Sequence, residues 1–217
     1  MPPARSRTAL APESLRAGAA AILGRPLTEP EADLFKKYLE LLLKWQRSQR
    51  LVGSSDPDWI VDHILLDSLL FLRLLPSGAR RILDVGSGAG VPGVPLKIVL
   101  ADAALTLLEA RAKRVSFLSA VVRELGLREC EVLNARLEAI CENRARHYDA
   151  IVMRCAGDPT TLYEAAIPVL RPGGVVIASG PPKARRIPVG AWLEVDGPRG
   201  RRLFWRYQPP LIRPLDL

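Results

Sequence analysis

Residues 81–96 read Arg-Ile-Leu-Asp-Val-Gly-Ser-Gly-Ala-Gly-Val-Pro-Gly-Val-Pro-Leu, and few folds accept such a run. Ile82, Leu83 and Val85 form a short apolar segment of strand length. Gly86, Gly88, Gly90 and Gly93 follow within eight residues, and an apolar helix is expected from Pro95 to Leu100. Strand, glycine turn and helix in that order open the nucleotide-binding half of a doubly wound sheet. Without a Cβ the glycines let the backbone turn sharply, so a ligand can lie against the main chain. The N–H groups at the start of the following helix are expected to be free and to favour a negatively charged group.

Two ligand classes fit the glycines. Gly88, Gly90 and Gly93 match G-x-G-x-x-G, the dinucleotide fingerprint. Gly86, Gly88 and Gly90, with Asp84 ahead of them, match the D-x-G-x-G-x-G of S-adenosylmethionine enzymes. The next strand, Ala104 to Leu108, ends in Glu109, where a carboxylate can accept both ribose hydroxyls of either ligand.

The flanking sequence supplies the rest of a sheet. Strands are expected at 81–85, 104–108, 130–133, 148–153 and 174–178, and helices at 95–100, 111–125, 136–143 and 159–170. Such repeated strand–helix units make a mostly parallel sheet with helices on both faces. Residues 191–195 and 202–207 read as a terminal antiparallel hairpin around Gly197-Pro-Arg-Gly200. Upstream the pattern is helical: 13–24; then a helix opened by the capping box Thr28-Glu-Pro-Glu31 and running to about Gln49; then one opened by Asp56-Pro57 and running from Asp58 to Leu75. Leu34, Tyr38, Leu41, Leu42 and Trp45 form the expected apolar stripe of the second helix. The first dozen residues read as disordered. The chain therefore divides into an N-terminal helical extension, residues 1–78, and a Rossmann-like domain, residues 79–217, ending in a basic tail that contains Lys183, Arg185, Arg186, Arg199, Arg201, Arg202, Arg206 and Arg213.

Charge and reactive side chains narrow the chemistry. The net charge of +8 favours a polyanionic partner, with the basic tail as the candidate arm. Cys130, Cys141 and Cys155 form no C-x-x-C pair, which argues for a reducing cytoplasm and against a structural zinc site. No apolar run reaches the ~18 residues of a membrane span. His63 sits one turn before Asp67 and reads as a capped or ion-paired structural histidine, and His147 reads as an edge residue. A chain poor in acid/base pairs and rich in cofactor-cradling features suits methyl transfer to an atom that is already nucleophilic. Guanine N7 is such an atom, because it carries a free lone pair and loses no proton before attack.

The stretch Asp84-Val-Gly-Ser-Gly-Ala-Gly-Val-Pro-Gly-Val-Pro-Leu96 resembles the signature of the glucose-inhibited division protein B family, the small-subunit ribosomal RNA methyltransferases G. Supporting stretches keep the family order over residues 30–181: His63-Ile-Leu-Leu-Asp-Ser-Leu69, Leu108-Glu-Ala-Arg-Ala-Lys-Arg-Val-Ser-Phe-Leu118, Ala135-Arg-Leu-Glu138 and Val152-Met-Arg-Cys-Ala156. The resemblance implies a class I S-adenosylmethionine-dependent methyltransferase fold and methylation of guanine N7 in the 530 loop of 16S rRNA. The implied partners are 16S rRNA or the 30S particle, with no metal and no membrane, for a monomer in the cytoplasm. It also implies that Gly86 and Val91 line the cofactor pocket, with Gly88 and Gly90 in the same turn, that Glu109 holds the ribose, and that Leu137 and Glu138 flank the adenine. Arg154, at the end of the fourth strand, is implied near the methionine end and the reacting methyl, which makes it the candidate catalytic residue. Lys113 and Arg114 match a basic pair read equally as a solvated face or as an RNA contact.

Several positions depart from the family pattern. Gln46 and Arg50 stand where the family has asparagines, the spacing from His63 to Asp67 is one residue longer, and Ser179-Gly180 replaces Lys-Gly. The alternatives are a NAD(P)-dependent Rossmann oxidoreductase, supported by Gly88–Gly93 but lacking a residue pair for hydride transfer, and a non-catalytic RNA- or ribosome-binding module.

Overall fold

The computed structural model describes residues 11–154, 159–180 and 187–210. Cys155, Lys183, Arg185, Arg186, Arg213 and residues 1–10, about which the sequence raises expectations, lie outside that range.

Seven strands form one sheet: β1 Arg81–Val85, β2 Ala104–Leu108, β3 Cys130–Leu133, β4 Tyr148–Met153, β5 Leu170–Ser179, β6 Ala191–Gly197 and β7 Gly200–Tyr207. Their order is β3-β2-β1-β4-β5-β7-β6. The first five run parallel, and β7 lies antiparallel between β5 and β6. The chain starts at β1, winds outward to β3, then returns to β4 on the other side of β1. Ligands of open parallel sheets bind outside the carboxyl ends of the strands at such a reversal. Met153 pairs with Val85 there, so Arg154 is the neighbour of Gly86 across the switch point.

Both faces of the sheet are covered, which is why its central strands read as continuous apolar runs. Ile82, Leu105, Leu107, Ala150, Val152 and Ile177 face one core, with Leu83, Val85, Leu108, Ile151, Met153 and Val176 on the other. Helices α1 Ala11–Leu23, α2 Glu29–Gln49, α5 Gly93–Val99 and α6 Ala112–Glu124 contribute to the first core. The 3₁₀ turn Leu137–Ile140 and the segment from α7 Pro159–Ala166 into the 3₁₀ turn Ile167–Val169 contribute to the second. The helix expected at 136–143 is thus a single tight turn. The helix expected over 159–170 stops early because β5 begins at Leu170, which pairs with Tyr148 before a register shift.

In α2 the capping box forms as read: Thr28 Oγ1 accepts from the Glu31 N–H, and Glu31 accepts from the Thr28 N–H. The buried face is Ala32, Phe35, Tyr38, Leu39, Leu42 and Gln46, rotated from the expected stripe; Leu34, Leu41 and Trp45 are half-buried at its margin. Burying Phe35, Tyr38 and Leu42 completely contributes about 1.5–3 kcal/mol each. Gln46 acts as a clamp: its amide accepts from the Val52 N–H at 2.9 Å and donates to the Val52 carbonyl at 2.7 Å. Arg50 caps α2 in the left-handed region, with φ 47°.

The next helical stretch is not one helix. It runs as α3 Pro57–Ile60, a π-helical turn Val61–Leu66, α4 Asp67–Leu69 and a 3₁₀ turn Leu70–Arg73. A π turn accommodates one extra residue in a helix, and the long His63-to-Asp67 spacing overlaps it. Asp67 does not pair with His63, as the sequence suggested. His63 Nδ1 lies 3.0 Å from the Trp59 carbonyl, with its ring stacked on Trp59.

The hairpin β6–β7 forms as expected, but it is an integral part of the sheet rather than an arm. Trp205 and Phe204 are buried in opposite cores. Arg202 contacts both carboxylate oxygens of Asp67 at 3.1 and 3.2 Å, and Arg199 pairs with Asp62 at 2.9 Å. Arg201 pairs with Glu194, and Arg206 donates to the Leu74 carbonyl. Among the described residues, no helix is long and apolar enough to cross a membrane.

Candidate functional site

The glycine turn leaves β1 with Gly86, Gly88 and Gly90 all at positive φ (68°, 56° and 84°), a conformation that costs other L residues about 1 kcal/mol or more. Most of its N–H groups are already engaged. Gly86 and Ser87 donate to the Leu108 carbonyl, Gly88 to Glu109 Oε2 at 3.0 Å, and Gly93 to Asp84 Oδ2 at 2.9 Å. This corrects the expectation of a vacant helix start, because the carboxylate of Asp84 occupies it. A Cβ on Gly93 would lie 2.6 Å from Asp84 Oδ2, so this glycine serves the approach of that carboxylate. The N–H of the last glycine of the dinucleotide fingerprint is therefore spent on a carboxyl oxygen where a pyrophosphate would need N–H donors.

Asp84 is fully buried, and burial, with Glu109 adding repulsion, pushes its carboxyl up to about 7 against the opposing hydrogen bond from Gly93. Among the described residues, its Oδ1 has no hydrogen-bond partner. A buried carboxylate oxygen with no donor fits a cationic group and disfavours an anionic one. Tyr38 closes the same region from α2. Its hydroxyl donates to the Ala89 carbonyl at 2.6 Å, and burial together with the nearby Asp84 carboxylate raises its pKa. Tyr38 was legible in the sequence only as a core position; nothing in helical periodicity reveals that its far end meets the glycine turn.

Beside the turn lies an open cleft of about 250 Å³. Gly86, Glu109, Leu137 and Glu138, four of the candidate residues, line it together. Leu137 is buried and Glu138 exposed. Glu109, 5% exposed, has one oxygen on the Gly88 N–H and the other on the Arg111 N–H at 2.8 Å. Each oxygen keeps a further lone pair for a ligand hydroxyl. Asn134, which the sequence did not single out, braces the cleft by donating to the Glu109 and Ala110 carbonyls at 3.0 and 3.1 Å.

Three arginines line this cleft: Arg111, Arg114 and Arg136. Arg114, one of the basic pair read as either solvated or RNA-facing, stands 3.8 Å from Glu109, and its Nη1 lies 3.2 Å from where a Cβ on Gly88 would be. Lys113 is exposed.

Gly88, Gly90, Val91 and Arg154 do not line the cleft. Val91 is half-buried beyond Gly90. Arg154 donates to the carbonyls of His63 and Ile64 in the π turn and lies 3.9 Å from Asp67. It stands close enough to Tyr38 for its charge to oppose the rise in the Tyr38 pKa. Asp84, Tyr38 and Arg154 thus gather on one side of the glycine turn, and Glu109, Leu137 and Glu138 on the other.

Comparison with known proteins places this geometry. Residues 31–181 match the GidB family, described as rRNA small subunit methyltransferase G. The ribosomal RNA small subunit methyltransferase G of Neisseria meningitidis serogroup B (strain ATCC BAA-335 / MC58) is 36% identical over 162 residues, 75% of this chain and 76% of its own. That of Stutzerimonas stutzeri (strain A1501) is 42% identical over 132 residues, 61% of this chain and 60% of its own. Among solved structures, a putative caffeoyl-CoA O-methyltransferase from Staphylococcus aureus superposes with a TM-score of 0.55 at 13% identity, covering 79% of this chain and 92% of its own. TrmN from Thermus thermophilus superposes with a TM-score of 0.51 at 18% identity, covering 67% and 49%. At these identities the structural likeness speaks for the class I methyltransferase fold.

Proposed function

Because the chain belongs to the rRNA small subunit methyltransferase G family, whose members are S-adenosylmethionine-dependent enzymes, we propose that it methylates guanine N7 in the 530 loop of 16S rRNA. It acts as a monomer in the cytoplasm, on 16S rRNA or the 30S particle. The observation that carries the choice of cofactor is Asp84: its carboxylate closes the start of α5 and leaves one buried oxygen without a donor. That environment suits the positive charge of S-adenosylmethionine and opposes the pyrophosphate of NAD(P).

When bound, S-adenosylmethionine supplies an electrophilic methyl group on a sulfonium. The chain's own residues bind, orient and exclude water. Gly86, Gly88 and Gly90 let the ligand lie against the main chain, and Val91 shapes the far side of the turn. Glu109, oriented by the Gly88 and Arg111 N–H groups, accepts from the ribose hydroxyls. Leu137 offers an apolar wall to the adenine, with Glu138 at its edge. Arg154, beside Gly86, positions the methionine end and holds the π turn against the crevice. No group needs to remove a proton, since the N7 lone pair is free before attack, so alignment supplies most of the rate.

Calorimetry with S-adenosylmethionine and with NAD tests this reading. Binding of the first and not the second is expected. Glu109→Ala should cost about 1.5–3 kcal/mol, tenfold or more in affinity. An unchanged affinity in that variant, or tight NAD binding by the wild type, would refute the assignment.

A further inference from the structure

The arginines of this protein fall into two populations. Those of the hairpin are engaged: Arg199 with Asp62, Arg201 with Glu194, Arg202 with Asp67 and Arg206 with a carbonyl. Those of the cleft are not. Among the described residues, the exposed side chains of Arg111 and Arg136 have no hydrogen bond or ion pair, and Arg114 has only the 3.8 Å approach to Glu109. Arg111, Lys113 and Arg114 also crowd the first turn of α6, which has no acidic residue. Cations at a helix N-terminus oppose its dipole and typically cost about 0.3–1 kcal/mol each. Local stability therefore does not account for them.

Their placement is specific. Arg111 and Arg114 come from the segment after β2, and Arg136 comes from the segment after β3. The cleft that holds Gly86, Glu109 and Leu137 opens between them. Three arginines and two acidic residues, Glu109 and Glu138, line the cleft, and a cationic cofactor would add to the positive excess. A polyanion touching both sides of the cleft has to cross its mouth. We propose that Arg111, Arg114 and Arg136 form a phosphate-binding rim on which the RNA backbone lies across the adenosine end of the cofactor cleft, so that RNA covers the cofactor and the cofactor must bind first. This rests on the RNA methyltransferase reading above. Guanidinium groups fork onto phosphate oxygens, and where RNA raises the equilibrium affinity for the cofactor, the cofactor tightens RNA binding by the same factor.

The test uses the full chain, S-adenosylhomocysteine, and whichever of the 16S rRNA transcript and undermethylated 30S subunits the wild type methylates. In the wild type, RNA is expected to slow release of S-adenosylhomocysteine at least tenfold. Arg111→Gln combined with Arg136→Gln should abolish most of that slowing. It should also lower the log–log salt slope of RNA binding by about 1.4, since each single-strand phosphate that is no longer neutralised removes about 0.7. Affinity for S-adenosylhomocysteine without RNA should stay within about twofold. The paired Arg→Lys variants should recover the salt slope, with circular dichroism confirming the fold of each protein. An unchanged slope with full slowing in the Gln variant would overturn the proposal. So would an equal loss of cofactor affinity in the absence of RNA, which would make these side chains cofactor ligands. A wild type that methylates neither RNA would instead refute the assigned function, and that outcome is distinct from the others.

Discussion

The cleft and the C-terminal hairpin are both rich in charge, yet they use it oppositely. In the hairpin every described arginine satisfies an acid or a carbonyl, and two of those acids, Asp62 and Asp67, lie on the N-terminal helical stretch. The ion pairs close the sheet edge onto the helices that cover it. Around the cleft and the glycine turn, among the described residues, the Arg111 and Arg136 side chains stand without partners, one oxygen of the buried Asp84 lacks a donor, and backbone glycines hold left-handed conformations. Each of these is unfavourable locally and is held in place by the rest of the fold. Residues that stay unsatisfied in a structure otherwise well satisfied mark where a ligand completes the environment. A basic residue count could not have made this distinction, since both regions contribute to the same net charge of +8.

The largest effect expected from this contrast concerns Asp84. Its folded pKa of about 7 lies above its ordinary 3.8, so the folded chain keeps a proton that the unfolded chain releases. Stability should therefore fall as pH rises from about 4 to about 7 and level off above. The ceiling for this one group is about 4 kcal/mol, at about 1.36 kcal/mol per pKa unit. Urea midpoints across that range should show the fall in the wild type and its flattening in Asp84→Asn; parallel curves would show that the carboxyl is not held protonated.

Arg154 comes next, since it shares Asp67 with the hairpin's Arg202 and stands at the glycine turn on the side away from the cleft. Arg154→Ala should lower methyl transfer by about 10²-fold, the scale of misplacing reactants. Arg154→Lys should restore little, because a point charge cannot reproduce two donations to the His63 and Ile64 carbonyls. If the alanine variant lost stability in proportion to activity, the residue would belong with the hairpin's structural arginines.

The smallest effect sharpens the contrast from the other side. Arg202→Gln should cost about 1–2 kcal/mol of stability by leaving the partly buried Asp67 short of a partner. It should leave the salt dependence of RNA binding as it was. A reduced slope with intact stability would turn the hairpin back into the RNA arm that its composition suggests.

Much of this was legible in the sequence, for identifiable reasons. Strands 81–85, 104–108 and 148–153 were read at their observed bounds because they are largely buried apolar runs, and the half-buried edge strand 130–133 was read at its bounds from its short apolar run. The capping box and the Asp56-Pro57 start are local chemistry and formed locally. The losses occur where tertiary packing decides. The apolar stripe of α2 turned because Phe35 and Leu39 pack deeper than Leu34 and Leu41. The 3₁₀ turn at Leu137–Ile140 replaced a helix, and the π turn gives no periodic signal that would distinguish it from ordinary helix. In the site, Glu109, Leu137, Glu138 and Gly86 line one cleft, whereas Tyr38 and Asn134 act through distant backbone carbonyls that one-dimensional patterns cannot locate.

The position of β7 bears on how the molecule is made. During synthesis β5 is complete some twenty residues before the strand that pairs with it, and β6 leaves the ribosome before β7 but takes the outer place. Until Phe204 and Trp205 arrive, the two cores each lack a large aromatic side chain, β5 presents an open hydrogen-bonding edge, and Asp62 and Asp67 wait without their cations. An open, apolar strand edge is a template for aggregation. The nascent chain therefore carries a vulnerable interval near its end. Chains cut short before Gly200 should be cleared or aggregate rather than survive as partly active enzyme.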